Sequence, residues 1–419
     1  MPGPLATRLL TILSRSRKPD TGRPPQPPGD AAPDFEQLSR RILLPSLQVS
    51  DEELARAAHQ DRGQRLARQE MWPEICAEIR AADTTRLATP GGESAAMLLA
   101  YGARGDVVAV AEDTLHGGDT PTPDGLAALE DALDDHPHDY ACALVVAMAH
   151  VDIGWAWHTA RQTPAGKRRF HHHFDRAADI LAPFSGVELD APSLAAAQCA
   201  LLAAEDRPGI RVADDFEDLI DLDPKSPRHM RALGQNLLPG RFGSLDALEL
   251  QARRTAARTG DIWGAGAYAW VYFDALASDH AALTGLDTDF FIEGLKDILS
   301  HTSEQHVANL IAAFCAVSMA PTATDEARQL PAAAEAARAR LHDCLGWVLK
   351  DHLHELHPLL WSQALLSPGL TPPLPSRRAL VNKGRHTALL AIATRFADDI
   401  EDGYNIAFSP KGMYRLPGA

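Results

Sequence analysis

No run of 18 consecutive apolar residues occurs in this 419-residue chain, which removes the simplest case for a membrane-spanning helix. Cysteine is nearly as scarce. Cys76, Cys142, Cys199, Cys315 and Cys344 are odd in number, widely spaced and without a CxxC pair. That pattern excludes a disulfide framework and reads as buried thiols in a reducing, cytoplasmic compartment. Aromatic residues make up 6% of the chain, and only seven of the 40 cationic residues are lysine. The arginine bias and abundant alanine suggest a GC-rich bacterial coding sequence. Alanine favours helix and is depleted in strands. The formal net charge of −16 disfavours nucleic acid and anionic membrane surfaces as bulk partners.

Signatures of established chemistry are also missing. The chain has no Gly-x-Ser-x-Gly, no glycine-rich phosphate loop before a lysine, no Gly-x-Gly-x-x-Gly and no His-Glu-x-x-His. His352, His354 and His357 surround Glu355 in the wrong order for a zincin. His171-His172-His173 point in different directions if helical. At the N-terminus, Leu9–Leu13 is too short for a signal-peptide core, and the proline-rich stretch that follows reads as a disordered tail over residues 1–33.

What is present is helical punctuation. Ser50-Asp51-Glu52-Glu53 has capping-box spacing, Asp139 and Ser244 stand where a cap is needed, and Pro73 marks a restart near residue 73. Gly102 and Gly105 suggest a tight hairpin between helices over 93–103 and 107–116. Further helices are expected over 303–319, 324–349 and 377–400, and no strand-length alternation interrupts the series. More than a dozen helices with short loops predict an all-α fold, an irregular tetratricopeptide-like solenoid of antiparallel helix pairs. The expected divisions are an N-terminal array (34–184), a central repeat region (185–320) and a C-terminal region (321–419) with a linker near 367–375.

Ser226-Pro227-Arg228-His229 opens one helix, and Leu237-Leu238-Pro239-Gly240-Arg241-Phe242-Gly243-Ser244 leads into the next; upstream stands Ile153-Gly154-Trp155-Ala156-Trp157. With these elements the chain resembles an uncharacterised bacterial family of tetratricopeptide-like proteins, a domain of unknown function. The resemblance is strongest over 214–272 and extends over about 90–285. It departs from the family where Phe242 replaces an expected tryptophan and Gly240 displaces a basic residue. The resemblance implies the fold, with no catalytic residue, substrate or cofactor attached.

Two functional readings stand side by side. The first is a non-enzymatic scaffold that binds a protein or peptide, without nucleic acid, integral membrane association or cofactor, and with homo-oligomerisation left open. Its candidate binding residues are His150, Trp155, Trp157, His158, Arg161, Arg241, Trp263, Tyr268 and Trp270. They are the aromatic, imidazole and guanidinium groups of two aromatic-rich segments and one turn, which pack as core or line a groove. His150 and His158, eight residues apart, would share roughly one face. The second is an all-helical metal-dependent enzyme acting on a diphosphate. Asp214, Asp215 and Asp218, with Asp398, Asp399 and Asp402, match the DDxxD spacing that puts carboxylates one helical turn apart to bridge magnesium.

Overall fold

The computed structural model describes residues 35–206, 208–209, 211–321, 330–366 and 375–418. The expected tail over 1–33 and most of the 367–375 linker lie outside the described residues. The fold is predominantly helical, and its contacts divide the chain into two compact units. Unit 1 contains Asp51–Asp274. In unit 2 the described residues from Phe35 to Ser50 join those from Ala275 onward. The divisions therefore fall at 50/51 and 274/275 rather than at the Pro/Gly-containing stretches near 184 and 320. Around 184 the chain makes a tight turn and its next helix packs back into the same core.

Unit 2 begins with α1 (Phe35–Arg41) and β1 (Ile42–Leu43). Unit 1 follows with α2 (Asp51–Arg68), α3 (Trp72–Thr85), α4 (Ala95–His116), α5 (Asp124–Asp135), α6 (Tyr140–Ala160) and α7 (Pro164–Leu181). It continues through α8 (Pro192–Leu201), α9 (Arg211–Leu222), α10 (Pro227–Asn236), α11 (Leu245–Arg258) and α12 (Gly260–Trp263). The boundary with unit 2 falls inside α13 (Gly266–Ser278). Pro73 does restart the chain, at the beginning of α3.

The centre of unit 1 is α6. Every residue from Ala141 to Val151 is buried and, His150 apart, apolar, as suits a helix enclosed by others. It packs against α3, α4, α5, α7 and α8. By length and composition α6 would also cross a membrane, but most of it is buried inside this unit.

The hairpin expected at Gly102 and Gly105 is absent: α4 runs unbroken from Ala95 to His116. Gly102 serves instead as a crossing point. A Cβ there would lie 1.9 Å from the Gln60 carbonyl oxygen, and a Cβ on Gly63 would lie 2.1 Å from that of Leu99. The backbones of α2 and α4 thus touch through two glycines. Helix propensity alone favours Gly102→Ala by about 1 kcal/mol. The obstructing atoms are backbone, so we expect the substitution to destabilise instead, by about 1–3 kcal/mol of overpacking. A thermal melt of the variant at or above wild type would contradict this crossing.

A charged knot joins three elements of the same unit. Glu52 accepts a hydrogen bond from the Gly91 amide at 2.6 Å, while Glu93 pairs with Arg56 and, at 3.3 Å, with Arg228. Two cations and two carboxylates cancel, which is how charges survive burial.

Unit 2 resumes with α14 (Thr288–His301), then α15 (Gln305–Ala313), which ends in a π-helical turn over Phe314–Ser318. Of the long helix expected over 324–349, residues 324–329 lie outside the described residues, and the rest appears as α16 (Ala332–Asp343) and α17 (Leu345–Asp351). There follow α18 (Pro358–Gln363), α19 (Arg377–Arg395) and α20 (Ala397–Glu401). The chain then departs from the all-helical expectation: β2 (Tyr404–Ser409) and β3 (Gly412–Pro417) form an antiparallel hairpin, and β1 adds in parallel to β2.

The loop before α18 is held by two amides from α15. The Gln305 side chain donates to the His352 carbonyl and accepts from the His354 and Glu355 amides. Asn309, with no exposed surface, donates to the Gln305 and Glu355 carbonyls and accepts from the His357 amide and the Trp361 indole. All four of its hydrogen-bonding positions are therefore used.

Candidate functional site

Five of the nine candidate binding residues come from one helical hairpin, α6 and α7 of unit 1. The turn between them is short because its ends are capped locally. The Thr163 hydroxyl accepts from the Gly166 amide, and Pro164 occupies the first helical turn where a missing N–H costs nothing. Gly166 lets the turn close: a Cβ at that position would lie 2.0 Å from the Arg161 carbonyl oxygen.

The inward face of α7 is the stripe Gly166, Phe170, His173, Phe174, Ala177, Ile180 and Leu181, with the three- and four-residue spacing of a helix packed on one side. Against it lies Trp155, half-buried, with edge contacts to Phe170 and Phe174 at centroid distances of 5.1 and 5.9 Å. His158, exposed at the end of α6, stacks between Trp155 and Phe170. Trp157 is buried, and two guanidiniums, those of Arg161 and Arg169, lie 5.4 and 5.9 Å from its ring. Arg161 is tied to the Gly118 and Asp119 carbonyls, so its position is held without a carboxylate neutralising it.

His150 and His158 do not share a face. Eight residues advance a helix by about 80° beyond two turns; His158 meets solvent while His150 is 97% buried, being 3% exposed. His150 Nδ1 instead meets His173 Nδ1 at 3.1 Å, a distance that requires one ring to donate and the other to accept. On its far side His150 Nε2 lies 3.4 Å from Glu130, close enough for charge attraction but without a formed hydrogen bond. Arg176 closes the row by donating to Glu130 at 2.8 Å.

Burial lowers the basicity of both imidazoles. His173 falls to about 4, through desolvation first and then the neighbouring His150, His172 and Arg169. Desolvation also lowers His150, partly offset by Glu130. Burial raises the Glu130 carboxyl, but the Arg176 bond and the nearby imidazole outweigh it and hold Glu130 below its usual range.

The outward face of α7 carries a feature that sequence reasoning passed over. Lys167, Arg168, Arg169 and His172 are exposed, and His171 is half-exposed. Among the described residues, Lys167 and Arg168 have no ion-pair or hydrogen-bond partner. The available signal was a window free of acid: from Ile153 to Phe174 the chain has four Lys or Arg residues and no carboxylate, despite 56 acidic residues overall.

The other candidates lie elsewhere. Tyr268 and Trp270 are buried on α13, where the Tyr268 and Tyr272 hydroxyls both donate to Glu249 at 2.7 and 2.8 Å. Trp263 is half-buried and donates its indole N–H to the Pro224 carbonyl. Arg241 is exposed in the turn before α11. A partner approaching the surface therefore cannot reach Tyr268, Trp270, Trp157 or His150 directly: these four belong to the core, because their rings fill the space between helices.

The acidic segments sit on separate units. Asp214 and Asp218 are exposed on α9, while Asp215 lies 3.5 Å from Arg211. Asp398 and Asp402 are exposed at the two ends of α20, and Asp399 pairs with Arg415 at 2.9 Å. Among the described residues no group of three or more His, Cys, Asp or Glu side chains is placed to hold a metal ion.

Unit 2 has a polar pocket of about 310 Å³ whose lining includes His301, Glu304, Gln305, Asp351, His352 and His354. Gln305 is spent on the loop backbone, and the His301 ring contacts the Asp297 carbonyl at 2.6 Å. All five thiols are free and buried. Burial pushes Cys199, Cys315 and Cys344 upward, and a hydrogen bond to Cys142 together with burial does the same to Cys76, so these four are poor nucleophiles.

Compared with known proteins, the chain matches no protein-family profile, no curated sequence and no solved structure.

Proposed function

We propose that this protein is a non-enzymatic helical scaffold that binds a protein or peptide, and that the solvent-facing side of the α6–α7 hairpin is its recognition surface. One observation carries the reading. His158 packs on Trp155 and Phe170, the Arg161 and Arg169 guanidiniums lie over the Trp157 ring, and Lys167 and Arg168 stand exposed on the outward face of the same hairpin. Arginine and tryptophan dominate the energetics of protein interfaces because they combine large contact area with directional bonding. Aromatic rings already ordered by core packing spare a partner the entropy of ordering them.

The arrangement of antiparallel helix pairs is tetratricopeptide-like in this reading, in keeping with the resemblance around Ser226–His229 and Leu237–Ser244. A cytoplasmic location accompanies it, supported by the five free thiols.

Site-specific photo-crosslinking in cells of the source organism tests the surface. A benzophenone side chain in place of His158 or Arg168 should capture the same protein. In place of Leu250, which is also exposed, on α11, it should not. Capture at all three positions alike, or at none, would remove this surface from consideration.

A further inference from the structure

We infer that the segment recognised by the α6–α7 surface is a short acidic stretch of a partner protein, rich in glutamate or aspartate; this rests on the scaffold reading above. The argument is one of charge placed against its surroundings. The chain as a whole carries −16, yet the 22 residues from Ile153 to Phe174 carry four permanent cations and no carboxylate. Positions 167, 168, 171 and 172 are related by the three- and four-residue steps of a helix, so Lys167, Arg168, His171 and His172 form one continuous outward face. Asp175 and Asp179 begin the acidic half of the same helix and mark where this face ends.

Two features suit carboxylates in particular. Arg161 and Arg169 present planar guanidiniums, whose paired donors match the two oxygens of a carboxylate. Arg161 already spends part of its donor set on the Gly118 and Asp119 carbonyls, which fixes its plane. Lys167 and Arg168, with no acidic partner among the described residues, need not break an existing ion pair in order to bind.

Size decides between an acidic peptide and a nucleic acid. From Lys167 to His172 the face spans about 8 Å along the helix, close to the screening length at physiological salt. A short run of carboxylates fits inside that distance, over Lys167, Arg168, His171 and His172 and short of Asp175. A nucleic acid strand extends well beyond it, into the field of a molecule with a large negative net charge, and would be repelled there.

The test is fluorescence anisotropy with full-length protein and a labelled glutamate–serine peptide long enough to cross two helical turns. Glutamine–serine and lysine–serine peptides and a single-stranded oligonucleotide serve as comparisons. We expect the glutamate peptide alone to bind, to be released as salt is raised, and to lose at least about tenfold in affinity in Lys167→Glu/Arg168→Glu. Lys167→Gln/Arg168→Gln should fall between that variant and wild type, which separates lost charge from lost fold. Reversal of Arg378 and Lys383, exposed cations on α19, should leave affinity unchanged.

Equal binding of the glutamine peptide, tighter binding of the oligonucleotide, or loss of affinity from the α19 reversals instead would each overturn the inference. If the glutamate peptide fails while His158 and Arg168 still crosslink to one protein, the acidic chemistry is wrong and the scaffold reading stands. If both fail, both fall.

Discussion

Lowering the pH from 7 to 4.5 should destabilise the wild-type α5–α6–α7 region by about 2–3 kcal/mol more than it destabilises a His173→Phe variant. The folded-state pKa of His173 is depressed to about 4 by burial, and the unfolded chain titrates near 6.5. Below pH 6.5 the unfolded state therefore binds a proton that the folded state refuses. The contribution of His173 is fully present above that pH and is lost progressively as pH falls towards 4.

His150 is depressed by the same desolvation and adds a slope of the same sign. The groups facing the pair are Glu130 on α5, and Arg169, His172 and Arg176 on α7. Glu130, held below its usual range by Arg176, stays charged over most of this window, and it is common to both proteins. Hydrogen exchange of the α6 amides at the two pH values reads the difference where it arises. Parallel pH dependence in wild type and variant would mean the paired imidazoles are not the titrating element.

The second large effect should come from Asn309→Leu, which we expect to cost about 3–5 kcal/mol. Leucine has a similar volume, so the loss is one of hydrogen bonding: it leaves the His357 amide, the Trp361 indole and the Glu355 carbonyl without their Asn309 partner. Each buried group stranded in this way costs about 1–3 kcal/mol. Asn309→Asp retains the two acceptor contacts while losing the donor contacts, and should fall between leucine and wild type. Urea unfolding of unit 2, followed by hydrogen exchange across residues 353–363, reports the result. A leucine variant within about 1 kcal/mol of wild type would show that the loop is held by apolar packing instead.

Both effects depend on side chains whose partners lie on other helices, and that is where sequence reading stopped. Helix starts were legible because capping is local. The Asp139 and Ser244 side chains each accept a bond from an amide two or three residues ahead, so the pattern is written within four positions. Gly102 was misread because its role depends on the Gln60 carbonyl, 42 residues away. The same glycine that suggests a break in isolation permits close approach in a packed pair.

The terminal hairpin escaped for a different reason. In β2 the residues Ile406, Ala407 and Phe408 are buried in succession, which destroys the alternation expected of a strand with one wet face. A legible signal did remain in Ser409-Pro410-Lys411-Gly412, which places proline, then glycine with φ of 101°, where a tight turn prefers them. The parallel pairing of Ile42 with Ile406 had no such trace, because register between distant segments is set by the burial of both.

Of the candidate surface, the chain by itself determined the cast: aromatic and cationic residues clustered from Trp155 to His173, within a window free of acid. Composition and spacing are properties of a linear string and survive any fold. Only the tertiary structure decided which of these side chains meet solvent. It turned His158, Lys167 and Arg168 outward, buried Trp157 beneath two guanidiniums, and set His150 against His173 inside the core. The direction of a helix's apolar face is fixed by what packs on it. For α6, enclosed by five other helices, no periodicity in its own residues could say which way was out.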